Sequence, residues 1–304
     1  MITGPFFLSG ATMLIAFKLK LALACAAGLA GPIAVAPLVS DMAVHGTASE
    51  PAIVAVAPGD FSYREAGDFT RAGQQADVPL RAMRFTKPLH IMREQVSSAD
   101  YQLCVQDGGC RALDRGVAIA FDRPVVQVNW HDADAYATWL SRKTGHTYRL
   151  PSDAEWAFAA GSRFRDDGVA VDADDPSKRW LSRYERESER DLSDTTAYPF
   201  GRFGANEHGI ADLAGNVWEW TSTCFVRSRI DAAGNAGKPT VNCGVRVAEG
   251  AHRAYVTDFI RDARAGGCAQ GVPPANLGFR LVREAPSWVA SVSARWGKVW
   301  AARS

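Results

Sequence analysis

Residues 204–221 read GANEHGIADLAGNVWEWT, and this stretch decides how the rest of the chain is read. At its centre, DLAGNVWEW (212–220), the apolar side chains of Val217, Trp218 and Trp220 anchor the segment, leaving Asp212 and Glu219 as oxygen donors. Gly215 opens backbone conformations closed to other residues, so a tight loop is expected there. Two arrangements satisfy the carboxylates: a bound cation, or a loop in which Glu219 accepts hydrogen bonds from backbone amides with no ion.

Working outward, residues 124–160 read PVVQVNWHDADAYATWLSRKTGHTYRLPSDAEWAFAA. Val125–Val128 reads as a short buried strand. Asn129 caps a helix in which Ala133, Tyr136, Ala137 and Leu140 recur at helical spacing, and Gly145 ends it. Ser152 and Glu155, three residues apart, form a capping box for a second helix carrying Trp156, Ala159 and Ala160. Upstream, Ser97 caps a helix with Tyr101, Cys104 and Val105 on one face. From Ala55 short apolar runs alternate with turns, and strands and turns return after Gly201. Residues 163–200 mix acidic and basic side chains as a polar surface excursion. Helices clustered between strand-rich ends indicate the α+β class. The last stretch, 285–304, spaces Val289, Val292, Trp296 and Val299 as a helix, either docked on the body or lying on a membrane surface.

The chain has 304 residues, 22% of them charged, and a formal net charge of +1, without the clustered basic face that nucleic acid requires. Lys18 and Lys20 precede residues 21–39, which carry no charged side chain. That is the form of a secretory signal, with Met13 as a natural start. An uncleaved anchor is the other reading, since close to twenty apolar residues span a bilayer. Membrane attachment is expected only through that segment. Residues 1–40 are thus the targeting segment and 41–52 a linker of small and polar residues. Export to a periplasm or beyond accounts for the cysteines, because disulfides persist in oxidising compartments. Cys104 and Cys110 flank the turn-like VQDGG, and Cys224 and Cys243 flank a Gly-rich excursion, so both are expected to pair. Cys268 is left over, as a buried thiol or a lone nucleophile.

Three blocks, residues 124–160, residues 204–221 and NLGFRLV (276–282), together resemble the formylglycine-generating enzyme, or sulfatase-modifying factor, family. GNVWEW and RLPSDAEW are the most specific of them, and the resemblance covers residues 53–284. It implies a variant of the C-type-lectin-like fold, with little regular secondary structure, long ordered loops and bound calcium. Carried over residue by residue, the calcium loop would use the Asp212 side chain, the Gly215 and Val217 carbonyls, and Glu219. Such a set suits calcium, which takes six to eight oxygens from carboxylates and carbonyls. A second calcium site of the family falls within 163–200, where Asp191 and Asp194 are candidates by position alone.

One departure changes the functional expectation. The family's oxidases bind copper(I) through two cysteines, as soft thiolates select that ion. Counting from Arg246 puts those positions at Tyr255 and Ile260; counting back from Arg264 puts them at Ala251 and Val256. No cysteine occurs anywhere from Gly244 to Gly267, so copper is not expected. His252, Tyr255 and Cys268 remain as candidate catalytic groups, within a run that also holds Asp258, Arg261, Asp262 and Arg264. Dense Arg and Asp there also read as structural ion pairs. Three functions follow: an exported maturation or accessory factor, or enzyme of altered chemistry, acting on a protein or peptide substrate; a non-catalytic binding module for a peptide, glycan or envelope partner; or a true formylglycine-generating oxidase with an unusual site. A cleft filled by Arg253, Tyr255 and neighbouring loops would favour the binding role.

Overall fold

A computed structural model describes residues 50–114, 116, 118–165, 197–263, 274 and 276–285. The targeting segment, most of the linker, Asp191, Asp194, Cys268 and the tail 286–304 lie outside the described residues. Among those described, no helix is long and apolar enough to cross a membrane.

The element order is β1 (Ile53–Val56), β2 (Gly59–Tyr63), β3 (Asp68–Arg71), β4 (Gln74–Ala76), β5 (Arg81–Phe85), β6 (Leu89–Met92), α1 (Ser98–Gln106), α2 (Trp130–Thr144), β7 (Tyr148–Arg149), α3 (Asp153–Ala160), β8 (Trp218–Arg229), β9 (Thr240–Glu249), β10 (Ala254–Thr257), β11 (Leu277–Gly278) and β12 (Val282–Arg283). The α+β class expected from the sequence holds, with the three α-helices among the described residues lying between residues 98 and 160.

Local signals set the helices. The Asn129 side chain accepts from the Asp132 amide while Asp132 accepts from the Asn129 amide, and Gly145 closes α2 at φ 74°. Ser152 and Glu155 make the same reciprocal cap on α3. Such caps satisfy donors that the first helical turn leaves free. Ser97 caps α1, which buries Tyr101 and Cys104.

The strands form three sheets. β1, β6, β12 and β7 lie in that order, and β2 pairs with β5 alone. The largest runs β10-β9-β8-β3-β4, with β11 added parallel to the start of β8. β8 and β9 are long antiparallel partners whose ladder shifts register around Cys224. The main core joins α1 and α2 to Trp218, Trp220, Phe279 and Leu281, and a second cluster gathers Ile91, Trp156, Ile210 and Leu213. Both expected disulfides are present, Cys104–Cys110 and Cys224–Cys243.

Two local expectations are corrected. Val125 and Val128 are fully buried, but the segment is not a strand. Pro124 makes only an isolated bridge to Ser97, and Gln127 turns to φ 58°, which breaks any ladder. Gly215 does not carry the left-handed conformation of its loop; Asp212 and Ala214 do, at φ 58° and 59°. Glycine is needed at 215 for space, since a Cβ would sit 2.6 Å from the Phe203 ring.

Gly278 faces a harder wall. A Cβ there would lie 2.7 Å from the Val125 carbonyl oxygen and 3.1 Å from Val217, pressing the 124–128 segment off β11. Gly278→Ala is therefore expected to destabilise the domain by about 1–3 kcal/mol, the usual cost of overpacking, as read from urea unfolding midpoints.

Candidate functional site

Two buried ionic centres lie beneath the strands that carry the sequence candidates. The first is built on Glu219, the second residue of β8, and Arg280, between β11 and β12; both side chains are completely buried. Arg280 Nε and Nη2 donate to the two Glu219 carboxylate oxygens at 2.6 and 2.7 Å. Gln95 Nε2 and Trp156 Nε1 each donate to one of those oxygens at 2.8 Å. The remaining Arg280 donors reach the carbonyls of Met92, Arg93 and Ala211. A carboxylate offers about four acceptor sites and a guanidinium five donors, and here every one is used. Neither Arg280 nor Gln95 stood out in the sequence. A lone arginine inside the apolar run NLGFRLV, against a lone glutamate inside VWEW, is the signal that could have found the pair.

Asp212, also fully buried, accepts from the Gly201 and Phe203 amides at 2.6 and 2.8 Å. It thereby ties the 201–204 turn to the start of the 212–220 loop. The donor set for calcium, Asp212, Gly215, Val217 and Glu219, does not fit the ion in this arrangement, because Glu219 has no acceptor site left. Among the described residues no group of three His, Cys, Asp or Glu side chains could hold a metal.

The second centre lies under the turn from β9 to β10. Arg253 is 7% exposed and reaches Glu249 at 2.7 Å and Asp153 at 3.1 Å. It also donates to the Arg64 carbonyl and lies near the rings of Tyr63 and Phe164. Tyr63 donates its hydroxyl to Asp153, whose amide donates to Thr223. The Asp153 and Glu249 carboxyls thus face the same guanidinium. Burial, then the charge of Asp153, pushes Glu249 well above the ordinary carboxyl range; Arg253 opposes this without cancelling it. β2, α3, β9 and the turn after it each supply one member, so the centre joins four elements.

The sequence candidates fall on either side of this turn. His252 faces away from Arg253: it is 4% exposed, stands edge-on to the Trp218 ring at 5.2 Å, and its carbonyl accepts from the Trp218 indole. Its Nδ1 lies 3.1 Å from the Arg253 carbonyl, and Nε2 has no hydrogen-bond partner among the described residues. Tyr255 is bonded through its hydroxyl to both the amide and the carbonyl of Gly67, with its ring against Phe225. His252 and Tyr255 are thus not brought together. Arg261 forks onto Asp132 and also pairs with Asp114, as the ion-pair reading expected. Of the alternative cysteine positions, Val256 is buried, and Ala251 and Ile260 pack partly buried against the main core.

Residues 39–285 match the sulfatase-modifying factor enzyme 1-like domain, over most of the chain. The chain belongs to that family. Among curated relatives, it is 37% identical over 129 residues to a formylglycine-generating enzyme of Mycobacterium tuberculosis, covering 40% of this chain and 41% of that protein. It is 30% identical over 186 residues to the inactive C-alpha-formylglycine-generating enzyme 2 of Mus musculus, covering 56% and 52%. The chain thus spans about half the length of these relatives. The structure of PvdO from Pseudomonas aeruginosa is similar at a TM-score of 0.49 and 22% identity, covering 77% of this chain and 95% of that one. Family membership accords with the GNVWEW and RLPSDAEW blocks; residues 244–267 of this member carry no cysteine.

The raised Glu249 carboxyl makes stability depend on pH. A carboxyl whose folded pKa is raised contributes stability that is full below its ordinary value of 4.5 and is lost as pH rises through the folded value. Glu249→Gln keeps a neutral hydrogen-bonding group and cannot ionise. The variant is expected to match the wild type at pH 4.5, to exceed it at pH 8, and to show a flatter stability profile between, as read from urea midpoints across pH.

Proposed function

We propose that the chain is an exported, non-catalytic member of the sulfatase-modifying factor family that works by binding a protein or peptide partner, as a maturation or accessory factor. The observation that carries this reading is Arg253. It fills the region beneath the 249–255 turn, locked by Asp153, Glu249 and Tyr63, where a reactive site would need an open, poised group. Of the two other reactive candidates with described positions, His252 is buried against Trp218, and Tyr255 is bonded to Gly67. The lack of cysteine over 244–267 removes the thiolates through which the family's oxidases would hold copper(I). A relative named as inactive among the similar proteins is consistent with this. Export is supported by the basic residues Lys18 and Lys20 before the uncharged run 21–39.

The test is chemical. The chain is incubated with a peptide carrying a sulfatase active-site cysteine, with copper(I) and oxygen, and the peptide mass is followed. Unmodified cysteine is expected at all times. Conversion of that cysteine to formylglycine would overturn the reading.

A further inference from the structure

We propose that the Cys224–Cys243 disulfide is a thiol-exchange site, in which an external thiolate attacks Cys243 and Cys224 leaves as a thiolate held by Arg246. The inference is independent of the functional reading above. The two sulfurs sit in unlike surroundings. Cys243 lies in an exposed stretch of β9, while Cys224 is half-buried on β8. The ladder pairs Cys224 with Arg246 and Phe225 with Asn242, so Cys243, Gly244 and Val245 have no partners on β8. This bulge presents the Cys243 side of the bond to solvent.

Arg246 Nη1 lies 3.2 Å from the Cys224 sulfur and donates to the Ser222 carbonyl at 2.7 Å. The guanidinium is stacked 3.9 Å from the centre of the Trp130 ring, and the Trp130 indole is fixed by the Thr221 carbonyl. Asp258 and Asp134 act on Arg246 through their charge, but among the described residues neither forms an ion pair with it, and its Nε is buried without a hydrogen-bond partner. A half-buried cation whose nearest carboxylates stand off at a distance gains from a direct anionic partner. A thiolate at Cys224 supplies that partner, and a guanidinium beside a sulfur favours its thiolate form. The contact therefore stabilises the reduced state and improves Cys224 as the leaving group. The other disulfide lacks this exposure, since Cys104 is completely buried in the core.

The step balances with a dithiol as reductant. Its first thiolate bonds to the Cys243 sulfur, the S–S bond breaks, and the electron pair departs on Cys224. The dithiol's second thiolate then attacks its own sulfur in the mixed disulfide and releases Cys243. The dithiol is oxidised to a disulfide, the protein pair takes up two electrons, and protons come from solvent.

Dithiothreitol titration of the full folded chain at pH 7, with alkylation and mass mapping, tests this. Cys224–Cys243 is expected to open at least about tenfold faster than Cys104–Cys110, given access and leaving-group stabilisation. With glutathione as a monothiol probe, the trapped adduct is expected on Cys243. Arg246→Gln is expected to slow opening by about tenfold, and Arg246→Lys, which keeps the charge, to restore most of the rate. Equal rates for the two disulfides, an adduct on Cys224, or an unchanged rate in a folded Arg246→Gln variant would each overturn the assignment. If Arg246→Gln fails to fold, the rate ratio and the adduct position in the wild type decide.

Discussion

The described body of this protein turns on one ion pair, Arg280 with Glu219, from which three other segments hang. The carboxylate takes the Gln95 amide and the Trp156 indole, so it fixes α3 and the segment before α1. The guanidinium takes the carbonyls of Met92, Arg93 and Ala211, so it fixes the end of β6 and the loop entering 212–220. Breaking such a pair by removing one partner leaves a buried charge without compensation, which costs about 3–5 kcal/mol. Irregular backbone with few ladder bonds needs its polar groups met in some other way. Here a side-chain pair meets them.

The Arg253 centre repeats the device with a different stoichiometry. One guanidinium faces two carboxyls, and burial with the charge of Asp153 pushes Glu249 toward its protonated form. That arrangement closes the turn between β9 and β10 and sets His252 and Tyr255 apart, each against its own wall. In this member of the family the turn between β9 and β10 is held by Arg253, Asp153, Glu249 and Tyr63. One fold carries many functions, and the site rather than the scaffold separates them.

Features written over short distances were legible in the sequence. The caps at Asn129, Ser152 and Ser97, the Gly145 stop and both disulfides involve residues from three to nineteen positions apart. The ionic centres were not legible, because their members meet only after folding: Arg280 is 61 residues from Glu219, and Tyr63 is 90 from Asp153. Gly215 was singled out for the wrong reason, since the Phe203 ring that excludes a side chain there is not a local feature. Val125–Val128 has the composition of a strand, yet Pro124 and the left-handed Gln127 deny it a ladder. His252 and Tyr255 were candidates by their place in the sequence, but the Trp218 ring and the Gly67 backbone that each of them meets are distant along the chain.

At the 212–220 loop the cation facing Glu219 in this structure is Arg280. The direct measurement is calcium content and thermal midpoint of the purified domain before and after exhaustive chelation, with calcium then restored. Absence of bound calcium and one midpoint throughout are predicted. Stoichiometric calcium that resists dialysis, with a midpoint that falls on its removal and recovers on its return, would contradict the assignment of Arg280 as that cation.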